Sequence, residues 1–392
     1  MTLIDYLIVA SYMLGLLAIG WVFRKQNDAK DYFLGGRTLP WPALTLSIMA
    51  TQLSAISFIS APAFVGLRDG GGLVWLSYEL ALPLAMGILL WRLMPSLHAS
   101  GIVSIYDYLQ RRFDASTRLL ISAVFQISRS FATAIMIYAV SLILQSTMGF
   151  SQWHSIAMIG IITLVYSAIG GMKAVVYGDA LQMILIVGGA ITCLFVALQQ
   201  IGGFGAALAL IEPSRLQALK LTNVGLNGND FGLLPMLFGG MVLYASYYGC
   251  DQSEAQRSLS SRSLGDLRKM LLSVAFLRFP ITLIYCSAGL VIGALVVNTP
   301  ELRAQIPLDQ PDWMMPVFIV NYLPAGVVGI LVVAILAAAM SSLSSAINSL
   351  SAVTVEDIFR FSKRQSEAKL YLRYAKRAGI FWGLVTLFLS LF

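Results

Sequence analysis

The sequence predicts an all-α, polytopic membrane protein, and three observations carry that expectation. The chain of 392 residues is 58% hydrophobic and only 11% charged, against about 25% charged in a soluble domain. Val9 to Val22, Ala81 to Trp91, Ala180 to Leu198 and Gly326 to Met340 are almost free of charge, and a bilayer asks about 20 apolar residues of a helix. These runs are continuous rather than alternating, which excludes a closed β-barrel, the other structure that satisfies its backbone in lipid.

About ten apolar spans follow one another: Ile4–Val22, Trp41–Val65, Gly72–Met94, Leu119–Leu144, Ile156–Ile169, Ala180–Leu198, Leu233–Tyr248, Met270–Val296, Gly326–Val353 and Ile380–Phe392. The first lacks a basic leader and a small-residue cleavage site, so it reads as a mature helix. The ninth runs on beyond one bilayer thickness and is expected to tilt or project into the cytoplasm. Basic residues orient the spans. With the N-terminus outside, the cytoplasmic segments hold Arg24, Lys25, Lys30, Arg37, Arg92, Arg111, Arg112, Arg118, Lys173, Arg257, Arg262, Arg268, Lys269, Arg360, Lys363, Arg364, Lys369, Arg373, Lys376 and Arg377. The outer loops hold only Arg68, Arg215, Lys220 and Arg303, a strong positive-inside bias. The net charge of +7 belongs to those loops, and no basic run with interleaved aromatics points to nucleic acid. Cys193, Cys250 and Cys286 sit apart in apolar runs and read as packing residues. His98 and His154 fall in loops or at interfaces with no partner spacing.

With the second span as core helix 1, core helix 6 lies five spans later and runs the opposite way. An odd repeat length permits the inverted five-helix repeat of many secondary transporters. The division expected is an extra N-terminal helix over 1–23, a first repeat over 40–200 and an incomplete second repeat over 230–392. Phe392 ends an apolar run with no polar tail, so the last core helix is expected to be missing.

An ionisable residue inside a span is a functional candidate by default, because its burial is costly. Glu79, Arg129, Asp179 and Arg278 qualify. Arg129 lies roughly 15 Å into its span. It serves either a solute or a structural pair, for which Glu79 is the candidate. Asp179 is either a helix N-cap or an ion ligand. On core helix 8, Ala338, Ser341, Ser342 and Ser345 share one face at helical spacing, with Ser344 at its margin. Such a face suits close helix packing, or it offers hydroxyls to sodium, a hard cation that takes oxygen ligands. A broken helix would add carbonyls. The polar segment Ser47 to Ser57 of core helix 1 could re-satisfy an unwound backbone. Gly239-Gly240 loosens core helix 6 ahead of Tyr244, Tyr247 and Tyr248, which either line a polar cavity or pack with their hydroxyls satisfied.

At this point the chain resembles the sodium:solute symporter family, from about Tyr6 to Phe359. Asp31-Tyr32-Phe33-Leu34-Gly35-Gly36-Arg37 resembles the loop before core helix 1. Tyr166 to Ala174 resembles the signature after core helix 4, and Asp179-Ala180-Leu181-Gln182 a motif of core helix 5. Ser341 to Asn348, then Asp357-Ile358-Phe359, resemble core helix 8. The resemblance implies a main sodium site at Ala50, Leu53, Ala338, Ser341 and Ser342. It implies a second, present in some members, at Asp179, Ser341, Ser344 and Ser345. It also implies a solute site lined by Gln52, Ser54, Ser57, Tyr78, Glu79, Arg129, Tyr244, Tyr247 and Arg278. Sugar-transporting members carry Gln near the position of Ser57 and Lys at that of Arg278, and Arg129 resembles the arginine that holds a carboxylated sugar.

The function expected is therefore sodium-coupled symport of a small organic solute by alternating access, with one or two sodium ions. A carboxylate or acidic sugar such as sialic acid suits a bidentate arginine. The setting is a cell membrane, in particular a bacterial inner membrane. The alternative is a symporter-like sensory module that binds solute without transport. No catalytic triad, metal cluster or phosphate loop suggests an enzyme.

Overall fold

Proline, aspartate and glycine punctuate the apolar runs, and the computed structural model shows what they delimit. It describes residues 1–53, 55–221, 225, 232–359 and 368–392. Among the described residues all regular elements are helical, apart from an isolated bridge between Leu39 and Ser261.

The N-terminal helix α1 spans Leu3–Val22 and the short α2 spans Ala29–Leu34, capped by Asp28. Next come α3 (Trp41–Gln52) and α4 (Ala55–Gly66). They are bent by 62° and form the expected broken core helix 1. Helix α5 covers Leu73–Ala99, the short α6 Tyr106–Arg112 and α7 Ala115–Met148. Asp114 caps α7 through the Thr117 N–H at 2.6 Å, and Gly149 ends it in the left-handed region.

Helix α8 runs over 50 residues, Gln152–Ile201, and carries both the fifth and sixth expected spans. They meet at a kink where Gly171 has φ 59°. A Cβ there would come within 2.7 Å of the Tyr32 ring. Two of the motifs that carry the family resemblance thus touch, and Lys173 seals the contact by pairing with Asp31 at 2.8 Å.

Core helix 6 departs from expectation. A π turn over Pro235–Gly239 leads straight into α9 (Gly240–Cys250). The chain breaks at Asp251, not at the glycines, and restarts as α10 (Gln252–Leu259). Asp251 explains the position: its backbone is extended and its carboxylate caps α10 by accepting the Ser253 N–H at 2.7 Å.

Helices α11 (Leu264–Asn298), α12 (Met314–Tyr322), α13 (Val327–Val353) and α14 (Ala368–Leu389) complete the chain. From Leu331 to Val353 every residue of α13 is buried, and a π turn carries it on to Phe359, as the long ninth span predicted. It packs against α1, α3, α7, α8 and α14. One carboxylate ties its start to the N-terminal helix. Asp5 accepts the Gly326 and Gly329 N–H groups at 2.7 and 2.8 Å, and its other oxygen takes the Thr2 N–H at 2.7 Å.

Among the described residues, six helices are long and apolar enough to cross a membrane, or seven if the bent α3–α4 pair is one span. The sequence suggested more because α8 holds two spans. In addition, α9 and α10 are short halves, and α14 carries Lys369, Arg373, Lys376 and Arg377.

Helices α4 and α11 approach to backbone contact. A Cβ at Gly293 would lie 2.5 Å from Gly66, and one at Gly289 would lie 2.5 Å from Pro62. Small residues are what allow such crossings in lipid. Gly293→Leu should therefore push α4 from α11 and lower the melting temperature in detergent by several degrees. An unchanged melting temperature would show that the crossing tolerates a side chain.

Candidate functional site

A helix that stops leaves its last carbonyls without N–H partners. Helix α3 stops at Gln52, and Leu53 leaves the helix with ψ 83°. The carbonyls of Ala50 and Thr51 are met by α13: Ser341 Oγ donates to Ala50 O at 3.0 Å, and Ser342 Oγ to Thr51 O at 3.3 Å. Both serines also bond Ala338 O, at 3.1 and 3.4 Å. Ser345 Oγ lies 2.9 Å from Thr51 Oγ1. The serine face and the helix break predicted separately in the sequence are in contact. Four of the five oxygens expected at a main sodium site, those of Ala50, Ala338, Ser341 and Ser342, converge here, with Leu53 at the break itself. The Thr51 carbonyl joins them and was not anticipated. The donors are neutral carbonyls and hydroxyls, the set a hard monovalent cation accepts. Among the described residues no group of three or more His, Cys, Asp or Glu could hold a metal.

Beside this cluster lies a cavity of about 590 Å³, within the usual range for small-molecule sites. Of the residues expected around a solute, Gln52, Tyr78, Glu79, Arg129, Tyr244, Tyr247 and Arg278 line it. Ser57 is not among its lining residues, and Ser54 lies outside the described residues. The wall also includes Thr51, Trp75, Ala132, Thr133, Met136, Met236, Leu243 and Ser342. Helical spacing from Arg129 could have found Ala132, Thr133 and Met136, and spacing from Tyr78 and Glu79 could have found Trp75. The tyrosines form a connected wall: the Tyr78 and Tyr244 rings are 4.9 Å apart, and the Tyr248 hydroxyl donates to Gln52.

The charges pair differently from the sequence expectation. Glu79 does not meet Arg129. Glu79 Oε1 accepts from Arg278 at 3.3 Å and from Thr282 at 3.1 Å. Arg129 instead pairs with Asp251 at 3.2 Å, so one residue caps α10 and neutralises the cavity arginine. Asp251 escaped notice because it closes an apolar span and reads as the first residue of a loop. Several polar atoms remain without a hydrogen-bond partner: Arg129 Nε, Arg278 Nη1, Glu79 Oε2 and the Tyr78 hydroxyl. Arg129, Arg278 and Glu79 line the cavity, so its wall holds cationic and anionic groups together.

A second cluster surrounds Asp179. It is not a helix cap, for it lies within α8, fully buried. Ser344 Oγ donates to it at 3.3 Å and Ser47 Oγ at 2.7 Å. The residue that completes the cluster is Arg257. The sequence reading placed Arg257 in a cytoplasmic segment, but it is 1% exposed. Its guanidinium reaches Asp179 at 2.7 Å and also bonds Ser345. Helix α10 is buried along its whole length, which the short polar sequence Gln252–Leu259 concealed.

The sequence model of the sodium:solute symporter family matches residues 32–391. The chain is 29% identical to the sodium/sialic acid symporter SiaT of Proteus mirabilis, over 99% of this chain and 78% of that protein. It is 25% identical to the sodium/sialic acid symporter NanT of Aliivibrio fischeri, over 97% of this chain and 75% of that protein. A solved substrate-bound, outward-open Na+-coupled sialic acid symporter superposes with a TM-score of 0.92 at 26% identity. That match covers all of this chain and 82% of the solved one.

The pairing makes a prediction about stability. Removing one partner of a buried ion pair costs about 3–5 kcal/mol. Arg278→Gln should lower thermal stability by that order, and Glu79→Gln added to it should restore most of the loss. Arg129→Gln should not be rescued by Glu79→Gln. Rescue in that second combination would overturn the assignment of partners.

Proposed function

Since the chain belongs to the sodium:solute symporter family, a family of transporters and not of enzymes, we propose that it is a sodium-coupled symporter of an acidic solute of the sialic acid class. The observation that carries this reading is the double position of Ser342. Its hydroxyl sits in the oxygen cluster, and its side chain lines the cavity. A sodium ion held by the oxygens of Ala50, Leu53, Ala338, Ser341 and Ser342 would fix the α3 break against α13. The cavity wall at Thr51, Gln52 and Ser342 would then be set before the solute arrives. Binding of either ligand favours the other, as linkage requires, and alternating access carries both across.

The acidic solute is supported by the charges in the cavity wall. Arg129 and Arg278 line it with guanidinium groups suited to a carboxylate, and Glu79 with a carboxylate suited to hydroxyls. A carboxylated, polyhydroxylated sugar presents both, and the SiaT and NanT relatives are named for that solute. We place the chain as a multi-pass protein of a cell membrane, in a bacterial inner membrane with its N-terminus outside. The distribution of basic residues supports the orientation. Residues 40–200 and 230–392 are read as the two repeats, with 1–23 as the added helix.

Two measurements test the reading. Ser342→Ala removes one oxygen, and sodium affinity in solute-binding assays should weaken by about fivefold to tenfold. Unchanged sodium dependence would misplace the site. Arg129→Lys keeps the charge and loses the planar fork, so affinity for sialic acid should fall about tenfold, while uncharged analogues stay weak and little affected. A preferred solute without negative charge would sink the carboxylate assignment.

A further inference from the structure

The residues that would hold a second sodium do not fit one in this chain, because a side chain of the protein already stands there as the cation. This inference rests on the sodium-coupled reading above and refines its ion count. Arg257 is among the largest fully buried side chains, and its guanidinium is bonded on all sides. Nε donates to Ser47 Oγ at 2.7 Å. Nη1 donates to the Ser253 carbonyl. Nη2 donates to Asp179 Oδ2 at 2.7 Å and to Ser345 Oγ. The carboxylate is equally engaged: Oδ2 also accepts from Ser47 at 2.7 Å, and Oδ1 accepts from Ser344 at 3.3 Å.

The remaining hydroxyls have partners too. Ser345 donates to Ser341 O at 2.6 Å, and Ser341 donates to Ala50 O at 3.0 Å. One carboxylate thus balances one guanidinium, and each of its oxygens accepts a hydrogen bond. A sodium ion added to Asp179, Ser344 and Ser345 would lie within a few ångströms of a fixed positive charge in a low-dielectric interior, where like charges repel strongly. Among the described residues no second carboxylate is hydrogen-bonded in this cluster, and the nearest on α10, Glu254, is buried one turn before Arg257 and makes no hydrogen bond to it. At the main oxygen cluster the side chains bonded to the Ala50, Thr51 and Ala338 carbonyls are the hydroxyls of Ser341 and Ser342, which carry no charge.

We propose that Arg257 is the resident cation of the Asp179 site, excluding a second sodium, so that the chain binds one sodium per protein. The guanidinium also does what an ion there would do mechanically. It joins α3 through Ser47, α8 through Asp179 and α13 through Ser345, and it holds them to α10.

The test is a count of bound sodium on the purified full chain in detergent, by equilibrium binding of radioactive sodium, which needs no solute. Wild type should bind one ion. Arg257→Gln removes the charge and should raise the count to two, and adding Asp179→Asn should return it to one. Two ions on the wild type would overturn this inference and leave sodium coupling intact. A count that stays at one in Arg257→Gln would also overturn it, since exclusion would not be the cause. No bound sodium on the wild type would overturn the functional reading and this inference together. Should Arg257→Gln fail to fold, Arg257→Met, which also removes the charge and keeps the apolar stem, is counted in its place with the same two outcomes, and Arg257→Lys, which keeps the charge, should stay at one.

Discussion

The contact on which the site depends is between the end of α3 and the serine face of α13. A helix cannot stop inside a membrane unless something takes up the carbonyls it releases. Ser341 and Ser342 do so for Ala50 and Thr51. The same atoms are suited to a cation. A hydroxyl that donates its proton to a carbonyl can rotate away, leaving both oxygens to face an ion. The hydrogen-bonded and the coordinated arrangements use the same backbone, so an ion would replace bonds without unfolding the break.

That contact explains the burial of α13. Its small residues, Ala337 to Ala339 with Ser341, Ser342, Ser344 and Ser345, bring it against neighbours on every side. Without a hydrophobic driving force between helices in lipid, close van der Waals packing has to hold them together. The Gly289 and Gly293 crossing with α4 applies the same rule to the other half of the broken helix. Asp5, capping the start of α13 from α1, makes the N-terminal helix part of this assembly.

Charge is handled pair by pair. Arg278 is neutralised by Glu79, Arg129 by Asp251 and Arg257 by Asp179. Farther along, Arg118 meets Asp357 at 2.5 Å, with Ser104 and Ser122 donating to the same carboxylate. Buried pairs of this kind need their remaining atoms satisfied. Those of Arg257 are, whereas Arg129 Nε, Arg278 Nη1 and Glu79 Oε2 have no hydrogen-bond partner among the described residues. Arg129, Arg278 and Glu79 are also the charged residues that line the cavity.

Much of this was legible in the chain alone. Uninterrupted apolar runs determined the helical membrane class. The spacing of Ala338, Ser341, Ser342 and Ser345 determined a polar face, and the hydroxyl-rich stretch from Ser47 located the broken helix. These are local properties, set by a helix of 3.6 residues per turn and by the cost of polar groups in lipid. Partner choice was not local. Glu79 and Arg129 are closer in sequence than either is to its true partner, and Arg257 reads as one more basic residue of a polar segment. Only the tertiary structure decided that Glu79 meets Arg278, that Asp251 serves Arg129, and that Arg257 turns inward to Asp179. A charge is satisfied by whatever lies within about 4 Å of it, and that neighbourhood is made by helices distant in sequence once they have packed.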